Sequence, residues 1–196
     1  KTELAAQLAS GTPLVTIESQ TPVSEFDVLA FSVSFEWDYT NVVTLLRLAG
    51  LKPRAAGRTA RDPLVVIGGA VTFVNPEPLA PFADVIAAGE GEALIPSLLT
   101  AFKGASDRDD LLRRLAAERG FYVPSFYDVV HSGDGTIDAF VARAGTGAPP
   151  VVKKAAIKTT EAVDPPATTI FTPDTELGSR FLIEVVRGCA NLCRFC

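Results

Sequence analysis

The chain has 196 residues, of which 47% are hydrophobic and 21% charged, and its formal net charge is −5. That balance belongs to an ordinary globular protein and excludes a disordered one. No apolar run approaches the ~18–20 residues that would span a bilayer, and the charges form no basic stripe of the kind that marks a nucleic-acid groove.

No methionine occurs, even at position 1, and the sequence opens in mid-pattern at Lys1-Thr2-Glu3-Leu4, so it reads as part of a longer protein. The length allows one full domain and parts of another. All three cysteines fall in the final eight residues. An odd, clustered set argues for metal ligation in a reducing compartment and against a disulfide framework. Cytoplasm is the expected location.

Residues 1–104 alternate apolar strand-like runs with helical patterns, the signature of an α/β fold with a parallel sheet. Leu14-Val15-Thr16-Ile17 reads as a short strand, and Asp27–Val33 as a stronger one, apolar on both faces as an interior parallel strand should be. Val42, Leu45, Leu46 and Ala49 then share one helical face. Asp38 or Thr40 is placed to cap that helix, and Gly50 to end it. Leu64–Ile67 is the next strand, followed at once by Gly68-Gly69. The loop Asn75-Pro76-Glu77-Pro78 leads to Asp84–Ala88, the last strand of the set.

Gly89-Glu90-Gly91-Glu92 opens a helix on which Ile95, Leu98, Leu99 and Phe102 are expected to share a face, with Pro96 tolerable only near its start. Residues 105–180 read as a helix and hairpin connector with a linker. Ser106 and Asp109 predict a capping box for its helix, which Gly120 stops. Tyr127–His131 and Thr136–Arg143 predict a β-hairpin around Ser132-Gly133-Asp134-Gly135. From Ala144 to Arg180 the composition turns to Gly, Pro, Thr and Lys, a linker that is open to being pinned on a neighbouring domain. Phe181–Val186 is a fresh strand that starts the last segment, 181–196.

That segment ends Cys189-Ala190-Asn191-Leu192-Cys193-Arg194-Phe195-Cys196. Thiolate sulfur is a soft ligand suited to iron–sulfur clusters, copper(I) or zinc. Three thiolates at CxxxCxxC spacing suit a [4Fe-4S] cube with one open iron, whereas electron-transfer clusters normally have four protein thiolates. Phe195, just before the third cysteine, supplies an apolar shield. A zinc site stays open as the alternative, in which the chain is a non-catalytic zinc- or cluster-stabilised α/β interaction module. Zinc needs a fourth ligand, and the only histidine, His131, lies in the predicted hairpin.

At Cys189, Cys193, Phe195 and Cys196, in the pattern CxxxCx(aromatic)C, the chain resembles the radical SAM superfamily. The resemblance implies that S-adenosylmethionine chelates the open iron. Electron transfer from the cluster would then cleave it to methionine and a 5′-deoxyadenosyl radical that abstracts a substrate hydrogen. It also implies a barrel beginning at residue 181, an electron donor such as flavodoxin or ferredoxin, and an inactive fragment if the chain really stops at Cys196.

Gly68-Gly69 and Gly89-Glu90-Gly91-Glu92 both follow strands, at the end of the sheet where α/β folds bind ligands. Neither is a phosphate-loop pattern, and a Gly-Gly pair alone is often only a tight turn. Together with Asn75-Pro76-Glu77-Pro78-Leu79 and Phe31–Asn41, they resemble the cobalamin-binding Rossmann-like domain that precedes the barrel in one radical SAM subgroup. By that resemblance Gly68 and Gly69 line a corrinoid crevice, with Ser34 or Ser32 beside them. The DxHxxG motif that supplies a cobalt-ligating histidine in many cobalamin proteins is absent. An intact fold without any corrinoid is the competing expectation. Glu36, Trp37, Asp38, Glu90, Glu92, Glu184 and Arg187 are further candidates, each with a plain capping, packing or charge-pairing account.

Overall fold

The computed structural model describes residues 2–157, 167, 173 and 178–184. The chain divides into two compact units, Lys1–Ala156 and Ile157–Cys196. In chain order the first contains α1 (Thr2–Ser10), β1 (Val28–Ser32), α2 (Tyr39–Leu48), β2 (Leu64–Gly68), β3 (Val85–Ala87), α3 (Gly91–Gly104), α4 (Arg108–Ala117), β4 (Phe121–Tyr122), β5 (Tyr127–His131) and β6 (Ile137–Ala142).

The result is a mixed α/β unit. Its main sheet has the order β1-β2-β3-β4. The first three strands run parallel, and β4 joins antiparallel through Ile86–Tyr122 and Ala87–Phe121. β2 shows why the sheet is buried on both sides. Leu64 and Val66 face one hydrophobic cluster, Val65 and Ile67 the other, as the two-residue strand period requires. The first cluster is completed by Leu94 and Ala101 of α3 and by Leu111, Leu112 and Leu115 of α4; the second by Val42 and Leu46 of α2 with Val71 and Leu79. Each fully buried aliphatic side chain contributes about 1.5–3 kcal/mol of transfer free energy. α4 and β4, which lie beyond residue 104, are thus packed on the same sheet.

Several local expectations are met with their mechanisms visible. α2 ends in a Schellman arrangement: Gly50 has φ +73, its N–H donates to the Arg47 carbonyl, and the Leu51 N–H donates to the Leu46 carbonyl. Val42, Leu46 and Ala49 are buried, although Leu45 is not. Asp38 stands at the N-cap position, but its carboxylate accepts from the Asn41 side chain and not from a helix N–H. β5 and β6 form the predicted hairpin in a separate two-stranded sheet.

Other expectations change. Leu14–Ile17 forms no strand. A single bridge, Val15–Pro22, closes a tight reversal in which Gln20 takes φ +53, and Ile17 is exposed. β1 is at the edge of the sheet and not in its interior, and its residues are half-buried or exposed. α3 begins at Gly91, so Pro96 falls inside it. Its buried ridge is Leu94, Leu98 and Ala101, while Ile95, Leu99 and Phe102 are exposed. The helix is apolar around much of its circumference, and the small Ala101 lets that side approach the sheet, so the face is offset by one residue from the expected one. The α4 cap is likewise displaced by one. Asp107 accepts from the Asp110 N–H at 2.8 Å, and the Asp110 carboxylate reaches back to the Ser106 N–H at 2.9 Å.

The supposed linker is tied down at Ala155, which is buried and forms a parallel bridge with Gly89. In the second unit, Ile183 makes an antiparallel bridge with Ala167. The rest of the predicted strand, Val185 and Val186, lies outside the described residues.

Candidate functional site

Two places carry the chemistry that the sequence points to. One is the thiol cluster: Cys189, Cys193, Phe195 and Cys196 all lie outside the described residues, as does Arg187. Among the described residues no group of three or more His, Cys, Asp or Glu side chains is placed to hold a metal ion. The other place is the carboxyl end of the parallel strands.

At that end β1 and β2 are laced together past their last paired residues. The Val33 N–H donates to the Gly68 carbonyl at 2.9 Å, and the Val71 N–H donates to the Val33 carbonyl at 3.1 Å. Gly69 has φ +93, where L side chains are strained. A Cβ there would also lie 2.6 Å from both the backbone N and the O of Val33. A Cβ on Gly68 would sit 3.3 Å from the Ala87 carbonyl oxygen. The two glycines are therefore brought together with Val33, and their open sides face protein.

The end of β3 is covered by residue 155. Ala155 donates its N–H to the Ala88 carbonyl at 2.9 Å and accepts from the Glu90 N–H at 3.1 Å. A Cβ on Gly89, whose φ is +141, would collide with the Ala155 backbone.

Ser32 and Ser34 are exposed beside this lacing. So are several large side chains on the loops that follow the strands: Phe35 at 64%, Trp37 at 89%, Phe73 at 56% and Val74 at 66% of full exposure. The Tyr39 hydroxyl donates to the Asn75 carbonyl and holds the two loops side by side. Burial, and to a lesser degree the Glu36 carboxylate, keeps that phenol's pKa above its usual value. The Lys154 ammonium stands 5.3 Å from the centroid of the Phe73 ring. Glu90 and Glu92 flank the start of α3, Glu184 is half-buried in the second unit, and His131 is exposed at the end of β5 in the hairpin.

The sequence reading did not single out two polar groupings in the first unit. Asp84 is buried just before β3, and its Oδ2 accepts from Arg58 at 3.0 Å, Arg108 at 2.9 Å and the Val65 N–H at 2.8 Å. The Arg58 side chain is fully buried and also donates to the carbonyls of Lys52, Pro53 and Phe82. The second grouping is Glu77 with Tyr122. Burial raises the Glu77 carboxyl's pKa, partly offset by its hydrogen bond to Tyr122, and burial next to Glu77 raises the Tyr122 phenol strongly. Sequence carried no signal for either, because each carboxylate is 19 to 45 residues from its partners in the chain. Three cavities of ≈ 550, ≈ 530 and ≈ 510 Å³ open around Phe26 and Arg61, around Arg54 and Tyr122, and around Gln7 and Arg47. None of the three is lined by Gly68, Gly69 or Ser34.

The family model described as "Radical SAM proteins, N-terminal" matches residues 1–124. The chain belongs to that family. No curated protein and no solved structure matched it. For this member of the radical SAM N-terminal family, the donor set Cys189, Cys193 and Cys196 fits an iron–sulfur cluster, because thiolates are the soft ligands that such clusters take. The residues expected to line a corrinoid fit poorly. A Cβ on Gly69 would meet the Val33 backbone and one on Gly68 the Ala87 carbonyl, so the space beside both glycines on that side is taken by protein. Among the described residues no helix is long and apolar enough to cross a membrane.

Proposed function

We propose that this chain is part of a radical SAM enzyme. In this reading Cys189, Cys193 and Cys196 are the thiolate ligands of a [4Fe-4S] cluster, and S-adenosylmethionine occupies the iron that they leave open. The observation that carries it is the CxxxCxxC spacing, which follows a stretch belonging to the radical SAM N-terminal family. When bound, the cluster supplies one electron that cleaves S-adenosylmethionine reductively and starts radical chemistry.

The chain's own part is to bind and shield. Three thiolates at CxxxCxxC spacing hold three irons and leave one coordination position for a small molecule. Phe195, between two ligands, brings an apolar ring to the cluster and limits water there. The electron comes from a flavodoxin or ferredoxin type of donor. Corrinoid-assisted methyl transfer forms no part of this reading, since the geometry of the first unit gives it no support.

Anaerobic reconstitution with iron and sulfide tests the proposal. The expected product absorbs broadly near the visible edge, gives an EPR signal on reduction, and shifts that signal when S-adenosylmethionine is added. Alanine at any of the three cysteines should abolish the cluster. Tightly held zinc, with no response to S-adenosylmethionine, would sink the reading.

A further inference from the structure

We propose that the strand-end crevice of the first unit is filled by the chain's own backbone and takes no corrinoid. This goes beyond the cluster assignment and stands without it. A ligand crevice at the carboxyl ends of parallel strands needs glycines whose missing side chains leave space for the ligand. Here Gly69, Gly89 and Gly120 have that space taken by protein.

Gly69 lies against the Val33 backbone, with both Val33 N and O at 2.6 Å from a hypothetical Cβ. The same contact is fastened by hydrogen bonds on either side, Val33 to Gly68 and Val71 to Val33. Gly89 lies against Ala155, which exchanges hydrogen bonds with Ala88 and Glu90 and so continues the sheet as a one-residue parallel bridge. Gly120, at φ +92, is enclosed by Leu94, Ala155 and the Ala88 carbonyl, each 3.0 Å or less from a Cβ built there. Three glycines at one end of the sheet thus serve close packing of chain on chain.

Residues 154 and 155 act as a strap over this end. Ala155 is buried, the Lys154 carbonyl accepts from the Arg119 guanidinium at 2.7 Å, and the Lys154 ammonium faces the Phe73 ring. A corrin macrocycle is wide and must bury most of its surface to bind well, so this strap and the Val33 lacing would both have to leave.

The experiment is a hydroxocobalamin titration of the intact protein, followed by visible absorbance and by gel filtration. It is paired with melting curves of Gly69→Ala, Gly89→Ala and, as a control, Gly133→Ala, whose added Cβ would meet nothing within 4 Å. The expected result is no saturable spectral change and no corrinoid retained by the wild type. Gly69→Ala and Gly89→Ala should melt roughly 5 °C or more lower, or fail to fold, while the control melts like the wild type. Saturable, stoichiometric retention of the corrinoid by the wild type would overturn the proposal. So would a Gly69→Ala or Gly89→Ala protein that melts like the wild type, because the packing role would then be wrong.

Discussion

Asp84 is a single carboxylate that holds two guanidinium groups and a backbone amide in the amino-terminal part of the sheet. Arg58 is fully buried, so its charge depends on that carboxylate and on three carbonyls. Removing one partner of a buried pair leaves an uncompensated charge, so Asp84→Ala should lower the unfolding free energy by about 3–5 kcal/mol in urea titrations. A loss within the scatter of surface substitutions would show that the pair is not an anchor. Glu77 behaves differently. Burial raises its folded-state pKa above the unfolded value, so the folded protein binds this proton more tightly. The associated stability is fully present below the unfolded pKa and is lost as pH rises through the raised folded value. Melting curves from acid to neutral pH should therefore show a downward contribution from this group, and Glu77→Gln should flatten it. An unchanged slope in the variant would rule out Glu77 as its source.

Helix α3 shows how far an apolar pattern determines which face is buried. Two overlapping stripes fit the helical period: Ile95, Leu98, Leu99 and Phe102 on one, Leu94, Leu98 and Ala101 on the other. Periodicity weighs the larger residues and selects the first; the sheet accepts the second, because Ala101 permits close approach. Leu94→Ala should therefore cost about 2–5 kcal/mol, and Leu99→Ala about 0.5 kcal/mol or less, both read from denaturant midpoints. The reverse order would mean that the packed face is the one the sequence pattern favours. The displaced cap of α4 has a similar origin. Ser106-Asp107-Arg108-Asp109-Asp110 offers two overlapping capping pairs, and the choice depends on which residue is extended at the helix entry. Asp107 is, with φ −158 and ψ −180. β4, two residues long, is too short for any alternation to be visible, yet it brings Phe121 into the core.

For the whole molecule, the α/β class, the order of helices and strands from Val28 to Ala142 apart from β4, and the hairpin were legible in the sequence. They follow from strand and helix periods and from glycine at turns. The packing at the carboxyl end of the sheet was not legible. Gly68-Gly69 and Gly89 look the same in sequence whether the missing side chain admits a ligand or a neighbouring backbone, and only the positions of Val33 and Ala155 decide between them. The cysteine motif reads as a donor set from its spacing along the chain alone, and it lies outside the described residues. This difference leads to a last prediction. Both hydrophobic clusters draw their members from residues 23–155, and none of them is a cysteine. The sheet unit should therefore keep its core when the thiols are gone. A protein with Cys189, Cys193 and Cys196 all changed to alanine is expected to lose iron and sulfide completely, yet to keep its far-UV circular dichroism and the melting transition of the sheet unit. Collapse of that transition on loss of the thiols would mean that the cluster, and not the aliphatic core, holds the unit together.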